Sequence, residues 1–194
     1  MADSAGEFDS QAMRMVPGRS VMLRALDTAL SEQYGPLGMG LLDRLSRLIA
    51  ENSTAELRLA LRELYIGYLH RTVQLEQHAK QAPHRYSMEA LHGLLAAEQR
   101  HCERLRQAIE AAGDSPPEAG PQLSPQPASN HWARMVHDLE AHRISVQQFR
   151  EAAVRFGGSF PETAALFHDL CLEESGHCRD LRELIARADP QALD

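Results

Sequence analysis

Three cysteines in 194 residues, with no Cys-x-x-Cys pair among them, exclude most of what cysteine builds. A zinc ribbon or rubredoxin-type centre needs paired thiolates. Cys102, Cys171 and Cys178 all fall in helical stretches, and this usage fits a reducing, cytoplasmic setting. Basic charge is also scarce. Lys and Arg number 20 against 27 for Asp and Glu, a formal net charge of −7. That argues against a non-specific nucleic-acid binder, which needs a basic face. No charge run is long enough to act as a tail. No apolar run approaches the length that spans a membrane. The opening Met1–Asp9 is acidic and polar, without the basic and apolar regions of a secretory signal, so none is expected. These absences leave a single domain with extra segments, long enough to bury a substantial core.

What is present is helical periodicity. Residues 1–19 read as a flexible tail ending near Pro17-Gly18. Residues 20–52 read as an N-terminal helical extension. Ser20 caps a short helix with Val21, Met22, Leu23, Leu26 and Leu30 on its apolar side. Gly35-Pro36-Leu37-Gly38 breaks it, and a second helix follows from about Met39 to Glu51. This pair is expected to cover the main body or build a subunit contact.

Residues 53–189 carry four long helices. Ser53-Thr54-Ala55-Glu56 has the form of a capping box and opens the first, which runs to about Gln81 with Leu59, Glu63, Ile66, His70 and Val73 on one face. The second runs from about Ser87 to Ala112 and stops at Gly113. Asn130 caps the third, which ends at Gly157-Gly158. Ser159-Phe160-Pro161-Glu162, a second capping box, opens the fourth. Between the second and third lies Gly113–Ser129, with five prolines. At ~3 Å per residue it can run the ~37 Å length of a 25-residue helix. The predicted topology is therefore a long crossover that leaves the second and third helices parallel.

The second and fourth helices place polar groups where a core should be. Leu170, Glu174, His177, Leu181 and Leu184 share one face, as do Leu91, Leu94, Glu98, His101 and Leu105. Burying a carboxylate and an imidazole without partners is costly, and a metal ion resolves the conflict. The two stretches also resemble each other at a constant offset of 76, with Cys102 after His101 and Cys178 after His177. The helix pairs thus look duplicated. Glu-x-x-His alone is weak, since a chain with 10 histidines matches it by chance. Glu89-x-x-His92 is such a match and points to the surface.

Specificity comes from Glu63, 35 positions before Glu98, and Glu140, 34 before Glu174. If each half is an antiparallel hairpin, all six residues converge at mid-bundle. Two helices giving one Glu and two giving Glu-x-x-His is the di-iron carboxylate pattern. Bridging carboxylates offset the repulsion between two divalent ions, and one imidazole per metal in an oxygen-rich site suits iron or manganese. Glu56 and Glu76 compete with Glu63, and Glu151 with Glu140. Glu173, 100° around the helix from Glu174, is expected at the surface or as an outer partner. His70 and His137 are expected to be core or rim histidines, with a role as an extra ligand or an outer-shell partner as the alternative.

On Arg62-Glu63-Leu64 with Tyr68-Leu69-His70, Glu98-Gln-Arg-His101, Asp138-Leu139-Glu140 and Glu173-Glu174-x-x-His177, the chain resembles ferritin-like di-iron four-helix bundles of the bacterioferritin and rubrerythrin kind. The resemblance implies an all-α ferritin-like bundle with extra N-terminal helices. It implies Glu63 and Glu140 as single carboxylates, Glu98 and Glu174 as bridges, and His101 and His177 as terminal nitrogens. The implied cofactor is two Fe ions, with Mn or a mixed Mn/Fe pair as the alternative. Gln99 stands where bacterioferritin has its haem-ligating methionine, so no haem is expected. The implied activity is oxidation of Fe(II), or reduction of O2 or peroxide, in a homo-oligomer that is a dimer or larger. A di-iron hydroxylase of an organic substrate and a non-catalytic helical interaction protein are the alternatives.

Overall fold

A computed structural model describes residues 36–118 and 128–188; of residues 36–43 and 45 it describes the backbone alone. The expected tail over 1–19 and the helix expected from Ser20 lie outside the described residues. Four helices follow one another: α1 (Pro36–Lys80), α2 (Arg85–Ala111), α3 (His131–Phe156) and α4 (Pro161–Arg187). Among the described residues there is no strand. The chain divides into two units, residues 1–50 and 51–194. In the first unit the described segment is helical from Pro36, and proline suits a first helical position because its missing N–H has no partner there anyway. Everything below concerns the second unit.

Helix ends depart from the sequence reading in two places. The Ser53 capping box does not start a helix: α1 runs through it, and Ser53 is buried in mid-helix. A capping box acts only where the preceding chain leaves the helix, and here the preceding residues stay in it. At the start of α4, Phe160 rather than Ser159 is the N-cap; no side chain caps the helix, and Pro161 sets the entry. The start of α3 and the end of α2 follow expectation. Asn130 Oδ1 accepts the Ala133 N–H at 2.9 Å. Helix α2 ends in a Schellman motif, with Gly113 N–H on Glu110 O, Asp114 N–H on Ile109 O, and Gly113 at φ 73°. A Cβ at Gly113 would also meet Arg58 Nη2 at 3.0 Å, but that side-chain end can shift, so it is the positive φ that favours glycine.

Contacts fix the helix directions. Arg58 donates to Ala112 O at 2.7 Å, so α1 and α2 run antiparallel. Glu56 meets Arg155 at 3.0 Å, while Arg134 donates to Gln81 O at 3.3 Å, so α1 and α3 are antiparallel too. Two helices antiparallel to the same third are parallel to each other. The connection from α2 to α3 is therefore the long crossover the prolines predicted. Stacked Phe149 and Phe167 and tilted Phe156 and Phe167 bind α3 to an antiparallel α4.

The interior has three layers. One apolar end packs Leu57, Leu61, Leu64, Leu105, Ile109, Phe149 and Phe167. The other packs Leu75, Leu91, Leu94, Met135, Leu139 and Leu181. Truncating a fully buried Phe149 or Phe167 to Ala would cost about 3–5 kcal/mol. Between the two apolar ends lies a layer of charged and polar side chains to which every helix contributes.

The buried stripe of α1 corrects the sequence reading. It runs through Leu57, Leu61, Leu64, Tyr68, Arg71, Leu75 and His78, not through Leu59, Glu63 and Ile66, which are exposed. Arg71 and His78 made the true inner stripe look polar, while Leu59 and Ile66 made an outer one look apolar.

Candidate metal centre

Helices α2 and α4 bring Glu98, His101, Glu174 and His177 together in this middle layer. One donor atom from each lies within 4.8 Å of the others. Both glutamates and His101 are fully buried, and the His177 side chain retains 14% exposure. His101 Nδ1 lies 3.1 Å from Glu174 Oε1 and 3.8 Å from Glu98 Oε1. His177 Nδ1 lies 3.6 and 3.5 Å from the same two oxygens. Four donors at tetrahedral corners ~2.1 Å from a shared centre stand ~3.4 Å apart. The observed edges straddle that value. Glu98 Oε1 and His177 Nδ1 are buried and make no hydrogen bond. Orphaned buried acceptors are rare, and a cation satisfies both at once.

Outer partners orient the donors. His101 Nε2 lies 2.9 Å from Glu173 Oε2, and Arg104 holds the other oxygen of Glu173 at 2.5 Å. Without an ion, Nδ1–H donates to Glu174 Oε1 at 3.1 Å; with Nε2–H donated to Glu173, His101 would present an Nδ1 lone pair to a bound ion, the arrangement that metal-bound imidazoles use. Glu173 is thus an outer partner, one of the two roles its position on the helix allowed. Tyr68 packs edge-on against His101, and the His101 and His177 rings stack at 5.5 Å.

Helices α1 and α3 complete the layer with residues the sequence reading did not choose. The Arg71 guanidinium inserts between the two glutamates, with Nη1 at 3.2 Å from Glu98 Oε2 and 3.2 Å from Glu174 Oε2. Its Nη2 donates to Ser145 Oγ and sits 3.5 Å from Ala141 O, and its plane lies over the Tyr68 ring at 4.4 Å. From α3, fully buried His142 places Nδ1 2.7 Å from Glu174 Oε2.

The expected single carboxylates stand elsewhere. Glu63 is exposed on the outer face of α1. Glu140 is exposed on α3, where it pairs with Arg143 at 3.4 Å. Their competitors do not replace them. Glu56 pairs with Arg155, Glu76 with Lys80, and Glu151 with Gln147. His137 is exposed and His70 half-buried. The signal for His142 was in the chain: His142 sits on the Met135, Leu139, Ser145, Phe149 stripe, and Arg71 sits on the Leu64, Tyr68, Leu75 stripe.

The electrostatics follow from this packing. Burial alone would raise the Glu174 carboxyl, but hydrogen bonds from His101 and His142, with His177 close by, hold it far below the usual carboxylate range. Burial opposes charge on His177, yet the carboxylates of Glu174 and Glu98, 3.6 and 3.5 Å from Nδ1, push it up to about 9. Burial likewise opposes Arg71, but the charges of Glu98, Tyr68 and Glu174 keep it protonated. Burial, with Glu98 nearby, pushes the Cys102 thiol up to about 12, and burial with Glu174 raises Cys178. Neither thiol is activated, so both act as small packing groups.

The four donors face one shared space. Among the described residues the buried layer holds two carboxylates, not the four that would offset a pair of divalent ions, and the Arg71 guanidinium already bridges those two. A pocket of about 390 Å³ opens beside the centre between α2 and α4. Ala90, Gly93 and Ala97 form one wall, Leu184 another, and His177 is its link to the cluster.

No family model and no curated protein matches the chain. Solved structures do. A ferritin-like diiron-carboxylate protein from Bacillus anthracis superimposes with a TM-score of 0.63 at 16% identity, covering 69% of this chain and 97% of that one. A dodecameric thioferritin, the bacterioferritin-related protein of Bacteroides fragilis, gives 0.63 at 15% identity over 74% and 93%. The bacterioferritin of Desulfovibrio desulfuricans, whose structure has a diiron site, gives 0.60 at 19% identity over 71% and 82%. Among the described residues no helix is long and apolar enough to cross a membrane. Helix directions, crossover and neighbours agree: the chain has the all-α, four-helix fold of the ferritin-like proteins, with a buried Glu/His cluster at its middle.

Proposed function

We propose that this is a non-haem iron protein of the ferritin-like kind, which oxidises Fe(II) or reduces O2 or peroxide at the mid-bundle cluster. The observation that carries the proposal is the spacing of Glu98, His101, Glu174 and His177, which matches four donors around one ion. Two of the similar structures, those from Bacillus anthracis and Desulfovibrio desulfuricans, are diiron proteins, which supports iron. A mixed carboxylate and imidazole set also suits manganese, the alternative metal. A bound redox ion supplies the one-electron chemistry and Lewis acidity. The chain's own residues bind and orient it. Glu98 and Glu174 neutralise its charge, Glu173 fixes the His101 tautomer, and the two apolar ends keep bulk water from the centre. Oxidant reaches the cluster from the pocket beside His177, the most exposed of the four donors. The cysteine usage supports a reducing, cytoplasmic compartment, and the dodecameric neighbour supports a homo-oligomer.

Elemental analysis of protein reconstituted anaerobically with Fe(II), followed by O2 consumption, tests this. Bound iron that is lost in Glu98→Ala/Glu174→Ala and consumes O2 supports the reading. Bound iron inert toward O2 and peroxide would make the cluster structural, and no bound metal of any kind would make it a polar core. The pocket favours one second reading, a hydroxylase of a small organic substrate. Product formation coupled to O2 use would distinguish it.

A further inference from the structure

Each of the two central carboxylates has two oxygens, and the structure divides them by direction. The Oε1 atoms of Glu98 and Glu174 face the Nδ1 atoms of His101 and His177 at 3.1–3.8 Å. The Oε2 atoms both face Arg71 Nη1, at 3.2 Å each. A carboxylate that bridges two metal ions uses its oxygens in this way, one to each cation. Here one of the two cations is a guanidinium.

We propose that Arg71 occupies the position of a second metal ion, so that this centre binds one metal ion per chain and uses a built-in positive charge as its partner. The inference rests on the metal-binding reading above.

Three observations support the assignment. First, Arg71 is held on every side: Nη1 by both glutamates, Nη2 by Ser145 Oγ and Ala141 O, and its face by Tyr68. A side chain with that many partners is not poised to swing away for an incoming ion. Second, Glu174 Oε2 is also engaged by His142 Nδ1 at 2.7 Å. The oxygens on the Arg71 side are taken, whereas Glu98 Oε1 on the other side has no hydrogen bond. Third, charge decides the count. Two divalent ions beside Arg71 would leave the two buried carboxylates outweighed by three positive charges. One divalent ion leaves a single excess charge, which Glu173, hydrogen-bonded to His101 at 2.9 Å but also paired with Arg104, offsets in part. Uncompensated charge in a low-dielectric interior is strongly disfavoured, which makes the one-ion state the stable one.

The consequence is chemical. A pair of redox metals can deliver two electrons to O2 or peroxide within one site. A single redox ion beside a guanidinium delivers one, and Arg71 serves as a fixed charge that does not change oxidation state. Full reduction of peroxide at one such centre then needs a second electron from outside it, such as from another Fe(II) arriving through the pocket.

The test is stoichiometry. Wild-type protein is titrated anaerobically with Fe(II), and separately with Mn(II), and bound metal is counted after equilibrium dialysis. The expected ratio is one per chain, and the Mn(II) form should show the hyperfine pattern of an isolated ion in electron paramagnetic resonance. Arg71→Glu, which puts a carboxylate on α1 in place of the cation, should raise the ratio to two and give the spectrum of a spin-coupled pair. Arg71→Lys should keep it at one. A ratio of two with a coupled spectrum in wild type overturns the inference and leaves the metal reading intact. So does a ratio that stays at one in Arg71→Glu with native helicity by circular dichroism. A ratio of zero in wild type overturns the metal reading itself. If Arg71→Glu does not fold, the wild-type ratio and spectrum still decide.

Discussion

Helices α2 and α4 carry matching halves of the centre, whereas α1 and α3 do not. On α2 and α4 the same residue types recur at the same depth: a fully buried glutamate, a histidine one turn on, and a buried cysteine beside it. On α1 the middle layer receives Tyr68 and Arg71, and on α3 it receives His142 and Ser145. The symmetric pair supplies the atoms that can hold a cation. The asymmetric pair supplies hydrogen bonds and a fixed positive charge. A duplicated bundle can thus keep its donor geometry in one pair of helices while the other pair resets the charge that the donors see.

The largest effect separating the two pairs should come from the symmetric one. Glu98→Ala/Glu174→Ala is expected to abolish metal binding and to leave Arg71 buried without a counter-charge. Stranding one member of a buried ion pair costs about 3–5 kcal/mol, so chemical denaturation should show a large loss of stability even without metal. Retained metal in this variant would mean that the donors lie elsewhere. Next comes Glu173→Gln, which removes the carboxylate that sets the His101 tautomer. Loss of such an outer partner typically lowers metal affinity about 10- to 100-fold, measurable by competition with a chelator. An unchanged affinity would place Glu173 among ordinary surface charges.

A smaller, opposite-signed pair of pH effects should distinguish the metal-free and metal-bound centres. In the metal-free protein His177 titrates at about 9, above its ordinary value near 6.5. Its contribution is therefore complete below pH 6.5 and is lost as pH rises through 9, an effect on the order of 2 kcal/mol. The melting temperature of metal-free protein should fall between those limits. Metal affinity should rise over the same window, because an ion must displace the His177 proton. A melting temperature that is flat from pH 6.5 to 9.5 would mean that His177 is not held protonated by Glu98 and Glu174.

Much of the fold was legible in the chain, because its signals were local. Asn130 and Gly113 marked helix ends, and the prolines of 113–129 implied the crossover that contacts at Arg58, Arg134 and Arg155 then fixed. Half of the centre was legible for the same reason: Glu98, His101, Glu174 and His177 are polar residues interrupting clear leucine stripes, and they repeat. The other half was not. An arginine on an inner stripe looks like a surface residue until its partners, here on α2, α3 and α4, are in place. Glu63 and Glu140 have the expected chemistry and fall near mid-helix. Depth along a helix is only one coordinate, however. Rotation about it is the other, and on α1 the apolar residues Leu59 and Ile66 on the outer face concealed which way the helix turned.

That misreading of rotation sets up the smallest expected effect. Glu63→Gln/Glu140→Gln changes the two carboxylates that a four-carboxylate centre would need. In this structure both are exposed, and among the described residues only Glu140 has a charged partner close by, Arg143 three residues on. Exposed pairs of that kind contribute about 0–1 kcal/mol, so stability should move by less than that. Metal affinity and metal-to-protein ratio should not move at all, since neither carboxylate belongs to the buried layer. Equilibrium dialysis on the double variant measures both. If it loses metal, then α1 and α3 must rotate to bring their glutamates inward when metal binds. In that case the asymmetry between the helix pairs would belong to the metal-free protein alone, and Arg71 would be a placeholder that leaves when the second ion arrives.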